Sequence, residues 1–278
     1  MPRFLHQPLL AALWATLTLL SGGCSTNPAT GAPQLNFISE EQEIQIGTES
    51  APRFLQQMGG PLPDAQIRRY VSDIGRRLAS TSERPELPWE FYVVDSAMLN
   101  AFALPGGKIF ISRGLMARLS NEAQLAGVLA HEIAHITAQH INQQMTQSTL
   151  LSLGIQIVVE AAGSQWAGVL GGYGGKLYLL RFGRGQEIQS DELALRYLQA
   201  AGYDPEGMLG VLLVLKEASG GSGGLEMLQT HPLPQTRIDR TRRLLDERSD
   251  TRGRLGAETY RKTVLEPLRR LPPPRHRP

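Results

Sequence analysis

A single cysteine among 278 residues leaves no partner for an internal disulfide, so folding has to rest on a packed core. Apolar residues make up 41% of the chain and charged ones 19%, enough for one substantial domain or two small ones. A strong net charge is also lacking: the balance is +2, and the basic surplus sits at one end. From Thr251 onward there are eight basic residues (Arg252, Arg254, Arg261, Lys262, Arg269, Arg270, Arg275, Arg277) against the two acids Glu258 and Glu266. Aromatics do not interleave with these charges beyond Tyr260, which argues against a nucleic-acid reader. The segment 251–278, basic and proline-rich, is expected as a solvated or lipid-headgroup-facing tail. No apolar run of roughly 18 residues survives uninterrupted, which argues against a spanning helix. The run Leu9–Leu20 is too short, and Glu160 and Lys176 break the apolar stretch that contains them. Internal repeats are missing too, excluding a solenoid.

What is present begins with an export pattern over 1–23: Arg3, the apolar run, then Ser21, Gly22 and Gly23 just before Cys24. Cys24 in that place resembles a bacterial lipobox, in which the thiol is acylated. Residues 24–38, rich in Ser, Thr, Asn, Pro and Gly, are expected as a tether, and 39–250 as the folded unit. Ser39 followed by Glu40, Glu41 and Glu43 predicts a helix start, and Ile67, Tyr70, Val71, Ile74 and Leu78 predict a second amphipathic helix over Asp64–Leu78. Trp89–Val94 and Lys108–Ser112 read as strands of one small sheet, the latter entered through the turn Pro105-Gly106-Gly107. A long helix is predicted from Ser120 to about Met145, and further helices over Gln186–Ala201 and Met208–Ala218. The glycine-rich apolar stretch 146–182 reads as a lid or membrane-facing insertion.

The long helix carries His131-Glu132-Ile133-Ala134-His135. Two histidines four apart lie on one helix face, so both imidazoles can meet one metal ion, and the H-E-x-x-H pattern is that of a zinc hydrolase. A catalytic zinc takes three protein ligands and keeps a fourth corner for water, whose pKa falls towards about 7. Glu132, beside the first ligand, is placed to take the proton of that water as a peptide carbonyl is attacked. The third ligand must come from elsewhere. Glu187 and Asp191, four apart at the start of a predicted helix, offer two carboxylates: one can bind zinc while the other accepts the free N–H of His131 or His135. His140, nine residues after His131 on a continuous helix, falls on the opposite face and is not expected as a ligand. His231, in Thr230-His231-Pro232-Leu233-Pro234, sits on a loop stiffened by prolines and is either a functional histidine or a loop residue without a role.

Several separated motifs stand in one order: Asn100-Ala101-Phe102-Ala103-Leu104-Pro105-Gly106-Gly107, Ser112-Arg113-Gly114-Leu115, His131–His135, Glu187 with Asp191, and His231-Pro232 followed by Arg237-Ile238. With these the chain resembles the HtpX, BepA and LoiP group of membrane-associated zinc peptidases, peptidase family M48, in its periplasmic lipoprotein branch. The resemblance implies one zinc ion held by His131, His135 and Glu187, Glu132 as the base, and Asp191 behind the ligands. It implies that the strand after Gly107 (Gly107, Lys108, Ile109, Phe110) edges the cleft and pairs with extended substrate backbone. It implies that His231 approaches the zinc, either as a reversible fourth ligand that keeps the enzyme latent or as a donor to the oxyanion, with Arg237 nearby. The expected fold is α+β: a mainly helical zincin-type (gluzincin) domain with a small mixed β-sheet beside two metal-bearing helices. The expected function is a zinc endopeptidase removing misfolded or damaged outer-membrane proteins, lipid-anchored in the periplasm on the inner leaflet of the outer membrane. Contact with outer-membrane assembly machinery goes with it. The rival is a chaperone-like assembly factor with a silent or latent metal site. Too little chain follows Asp246 for the tetratricopeptide module that some members carry, so an adaptor role of that kind is not expected.

Overall fold

A computed structural model of the chain describes residues 24–148, 181–219, 227, 230–232, 235–248 and 253–275. The expected signal segment 1–23 and residues 149–180 of the expected lid lie outside the described residues. Order begins at Cys24. Strands β1 (Cys24–Thr26) and β2 (Pro33–Leu35) pair antiparallel, so the expected tether is a hairpin. Asn27 explains why: its Oδ1 accepts from the amides of Ala29 and Thr30 to close the turn, while its Nδ2 donates to the carbonyl of Ala138. A composition that suits a flexible linker equally suits a side-chain-capped turn.

Helix α1 (Glu40–Gln57) starts as predicted, with Ser39 and Gln42 forming a reciprocal capping box. Helix α2 (Ala65–Ala79) is capped by Asp64, whose carboxylate accepts from the amides of Gln66 and Ile67. Three strands follow: β3 (Glu90–Val94), β4 (Ala101–Leu104) and β5 (Lys108–Ser112). Their spatial order is β3-β5-β4, with β5 parallel to β3 and antiparallel to β4. The sheet is mixed, as expected, but β5 lies in its middle with strands on both sides. The expectation that Gly107, Lys108, Ile109 and Phe110 pair with substrate therefore fails: their backbone rows are already used by β3 and β4. Lys108 is buried, donating to the carbonyl of Pro88 and to Glu90. The edge beside the long helix belongs to β4, a four-residue strand too short to announce itself in the sequence.

Helix α3 (Arg113–Met116) leads to α4 (Glu122–Thr137), which is buried on every side. Such a helix is a core element rather than an amphipathic surface one. It does not run to Met145. After Ala138 the backbone passes through Gln139 at φ 54°, and a new helical segment occupies 140–148. The interruption is held from outside: Arg84 donates to the carbonyl of Ile136, and Asn27 and Gln143 donate to that of Ala138. Side chains thus satisfy carbonyls that the continuing helix would have used. Helices α5 (Arg184–Ala200), α6 (Glu206–Ser219) and α7 (Gln235–Asp246) complete the bundle around α4.

The expected tail is not a solvated arm. Residues 257–270 form a helix that passes through a π-helical turn, burying Tyr260, Val264 and Leu268 on one face. The Tyr260 hydroxyl donates to the carbonyl of Met116, and Arg113 donates to the carbonyls of Leu268, Leu271 and Pro272. The basic residues Arg261 and Lys262 lie on the other face, paired with Glu258.

The buried pair Arg84–Glu43 ties several segments together. Arg84 makes a two-pronged contact with Glu43 at 3.1 and 2.8 Å, and Glu43 also accepts from the amide of Gly106 and from Asn142. Gly106 has to be glycine here, since its φ is +69° and a Cβ would stand 2.6 Å from the Ile44 Cα. Replacing Arg84 by methionine strands the Glu43 carboxylate in the interior and is expected to cost about 3–5 kcal/mol in urea unfolding. A loss below about 1 kcal/mol would show the pair to be incidental.

Candidate metal centre

Helix α4 presents His131 and His135 one turn apart, and α5 brings Glu187 from its first turn. His231 arrives from the segment before α7, its amide bonded to the carbonyl of Met227 at 2.7 Å. All four side chains are buried, and one donor atom from each lies within 4.8 Å of the others. His131 Nε2 is 3.1 Å from His135 Nε2 and 3.4 Å from His231 Nδ1. The Glu187 carboxylate stands 3.5 Å from His131 Nε2, 3.3 Å from His135 Nε2 and 2.9 Å from His231 Nδ1. Tetrahedral zinc with bonds of about 2.0–2.1 Å separates its ligand atoms by about 3.3 Å. Three imidazole nitrogens and a carboxylate at these spacings suit that ion in both chemistry and size. Of the sequence-predicted ligands, His131, His135 and Glu187 come together; His231 joins them as a fourth donor.

Glu132 is fully buried, and neither of its carboxylate oxygens has a hydrogen-bond partner among the described residues. Beside it stands His231, whose Nε2 lies 3.8 Å away. Burial pushes its pKa up, against the pull of His231 and His131. A buried carboxylate without a partner is costly, and its persistence points to a role toward a group that enters the site.

Behind the donors stands a second layer. Asp191 Oδ1 is 3.0 Å from His131 Nδ1, and the Asp191 carboxylate takes a two-pronged contact from Arg237 at 2.8 and 2.7 Å. Arg237 also reaches Glu187 at 2.5 Å and the carbonyl of Pro232 at 3.0 Å. Burial alone would raise both carboxyl groups. The imidazoles, His231 first, hold Glu187 well below its usual range, and Arg237 holds Asp191 down. Arg237 is thus spent on these two acids and on the loop carrying His231. It stands near His231, as expected, buried behind the donors.

His140 is where sequence reasoning misplaced a residue. The break at Ala138–Gln139 swings it back toward α4, so that its Nδ1 lies 3.1 Å from His135 Nδ1 and its Nε2 2.7 Å from Gln189 Oε1. Burial pushes its pKa down to about 4, so the ring is neutral. Phe182 packs against His135 with ring centroids 3.8 Å apart and planes tilted by 35°, and nothing in the sequence marked it.

His131 behaves differently. Burial opposes its charge, yet Asp191 and Glu187 push its pKa up to about 9. A metal ligand must be neutral imidazole, so metal uptake below that pH displaces a proton. Affinity is expected to rise about tenfold per pH unit towards pH 9, with about one proton released per ion. Calorimetric titration in buffers of different ionisation enthalpy counts that proton, and an affinity independent of pH would contradict the assignment.

Among known sequences, residues 65–245 match the family described as peptidase family M48. The chain is similar to the beta-barrel assembly-enhancing protease of Yersinia pestis, 30% identical over 84% of this chain and 52% of that protein. The protein of that name from Escherichia coli (strain K12) is 29% identical over 85% of this chain and 52% of its own length. The mitochondrial metalloendopeptidase OMA1 of Schizosaccharomyces pombe is 33% identical over 79% of this chain and 66% of that protein. The chain spans about half the length of the first two.

Proposed function

Because the chain belongs to peptidase family M48, we propose that it is a zinc-dependent metalloendopeptidase of the cell envelope that removes misfolded or damaged membrane proteins, outer-membrane ones in particular. The observation that carries this is the unpartnered, fully buried Glu132 carboxylate set against a compact cluster of donors. His131, His135 and Glu187 would hold the ion. Zinc, when bound, supplies a Lewis acid for the peptide carbonyl and makes a water molecule acidic enough to deprotonate near neutral pH. Glu132 takes that proton and returns it to the departing amine, a role favoured by its raised pKa. Asp191 keeps the His131 ring oriented, and Arg237 keeps Asp191 and Glu187 charged. The outer edge of β4, Ala101–Leu104, which no strand among the described residues pairs with, aligns extended substrate backbone by strand addition, the place that β5 cannot fill.

The envelope address rests on the sequence pattern ending at Cys24 and on relatives named for β-barrel assembly. Among the described residues no helix is long and apolar enough to cross a membrane. Attachment by an acylated Cys24 on the inner leaflet of the outer membrane, unfolded envelope proteins as substrates and contact with assembly machinery all belong to this proposal. Metal analysis of the purified chain, with cleavage of an unfolded outer-membrane protein followed before and after chelation, tests it. Loss of cleavage with chelator and recovery with zinc is the expected result. Absence of bound metal, or cleavage indifferent to chelator, would overturn it.

His231 supports a second element. Its Nδ1 takes the corner that an attacking water needs, and its Nε2 faces Glu132. It is therefore a latch, and the resting enzyme is latent. Changing His231 to alanine is expected to raise peptide cleavage on the order of tenfold, as the competent state no longer competes with the latched one. A large fall instead would make it a donor to the oxyanion. The same geometry favours the rival function of an assembly factor with a latent metal site, for which in-cell assembly would survive loss of proteolysis.

A further inference from the structure

The two donor histidines of α4 are each backed at Nδ1, but by different means. For His131 the partner is Asp191; for His135 it is a third imidazole, that of His140, at 3.1 Å. His140 is buried, and its far nitrogen meets Gln189 Oε1 at 2.7 Å. The Ser190 hydroxyl is the remaining polar neighbour, 3.4 Å from His140 Nδ1. The rings of His135 and His140 are nearly perpendicular, at 72°, with centroids 5.0 Å apart. Phe182 covers both, closing the pair off from water.

Only one arrangement of protons satisfies this chain of contacts. With Nε2 of His135 turned to the donor cluster, its single proton sits on Nδ1. His140 Nδ1 must then accept, which leaves the His140 proton on Nε2, where an amide oxygen waits at hydrogen-bonding distance. We propose that His140, oriented by Gln189, is the positioning partner of His135, holding that ring in the tautomer and angle that metal binding requires. This rests on the zinc-binding reading above.

The fold supplies the placement in three ways. Gln139 at φ 54° turns the chain so that a residue five after His135 returns to it, which a continuous helix does not allow. Gln186 on α5 bonds to Gln143 and Gln144 and so docks the segment 140–148. Gln189 lies between Glu187 and Asp191 on α5, so one helix delivers a ligand, the partner of His131 and the anchor of His135's partner. Partners of this kind typically change metal affinity by about 10–100-fold when removed.

Three variants of the full chain test the proposal, with the zinc dissociation constant read by competition against a chelator and folding checked by circular dichroism. His140→Phe keeps volume and removes the acceptor; zinc binding is expected to weaken about 10–100-fold. His140→Asn keeps an acceptor oxygen where Nδ1 stood and is expected to stay within about threefold of wild type. Gln189→Leu leaves the ring but frees its tautomer, and about tenfold weakening is expected. Unchanged affinity in folded His140→Phe, or an Asn variant as weak as the Phe one, overturns the proposal. Should His140→Phe fail to fold, wild-type affinity in Gln189→Leu does the same. A wild-type protein that binds no zinc would instead sink the functional reading itself, so the two failures are distinct.

Discussion

Replacing Glu132 by glutamine is expected to lower peptide cleavage by about 10²–10⁴-fold while zinc content stays at the wild-type level. The side chain is fully buried, its two oxygens meet no donor among the described residues, and His231 Nε2 is 3.8 Å away. Glutamine has the same shape but cannot accept a proton at neutral pH, so the effect falls on the chemical step and not on the ligands. A second signature accompanies it. Burial raises the Glu132 pKa, so the ionised carboxylate destabilises the folded state at pH values above the ordinary carboxylate range. The amide removes that cost, and the metal-free variant is expected to unfold at the same or a higher temperature than wild type at pH 7. The gain should shrink as pH falls below about 4.5, where the carboxyl is neutral in both states. Activity lost with stability kept marks a residue held for function. Cleavage within about threefold of wild type would remove Glu132 from the mechanism, and assembly activity surviving in cells without proteolysis would favour the assembly-factor function.

How much of this was legible before folding depends on the range of the interaction. The pair His131 and His135 needs only a helix, and Ser39 and Asp64 announce their helices through local capping, so these were readable. Glu187 and Asp191 were readable as a pair, because i,i+4 spacing fixes a shared face; which of them meets the donors depends on how α5 packs on α4. His140 was misplaced for a definite reason. Its position follows from a helix break whose carbonyls are satisfied by Asn27 and Arg84, residues 111 and 52 positions away from their acceptors. The C-terminal segment was misread because its basic count outweighed a quieter signal, the i, i+4, i+8 spacing of Tyr260, Val264 and Leu268 that buries one face. The expectation that β5 forms the edge failed for a topological reason: a strongly patterned strand tends to be central, while the outer place beside it goes to the weakly patterned β4.

Arg237→Met is expected to destabilise the metal-free protein by about 3–5 kcal/mol, which for a chain of this size is roughly 6–20 °C in Tm. Arg237 meets both Glu187 and Asp191, as His131 does from the other side, and all four groups are buried. Without it the two buried carboxylates are left to their imidazole contacts, and the carbonyl of Pro232 loses its donor as well. Zinc alters the size of the effect. A divalent ion among His131, His135 and Glu187 supplies positive charge on the other side of the same carboxylate, so the loaded variant should recover part of the loss. The zinc-induced rise in Tm is therefore expected to be larger in the variant than in wild type, and thermal unfolding of both proteins with and without zinc measures the difference. If Arg237 acted instead on substrate charge, the variant would lose turnover while its metal-free stability stayed within about 1 kcal/mol of wild type. The guanidinium grips the loop of His231 and the carboxylates of α5 at once.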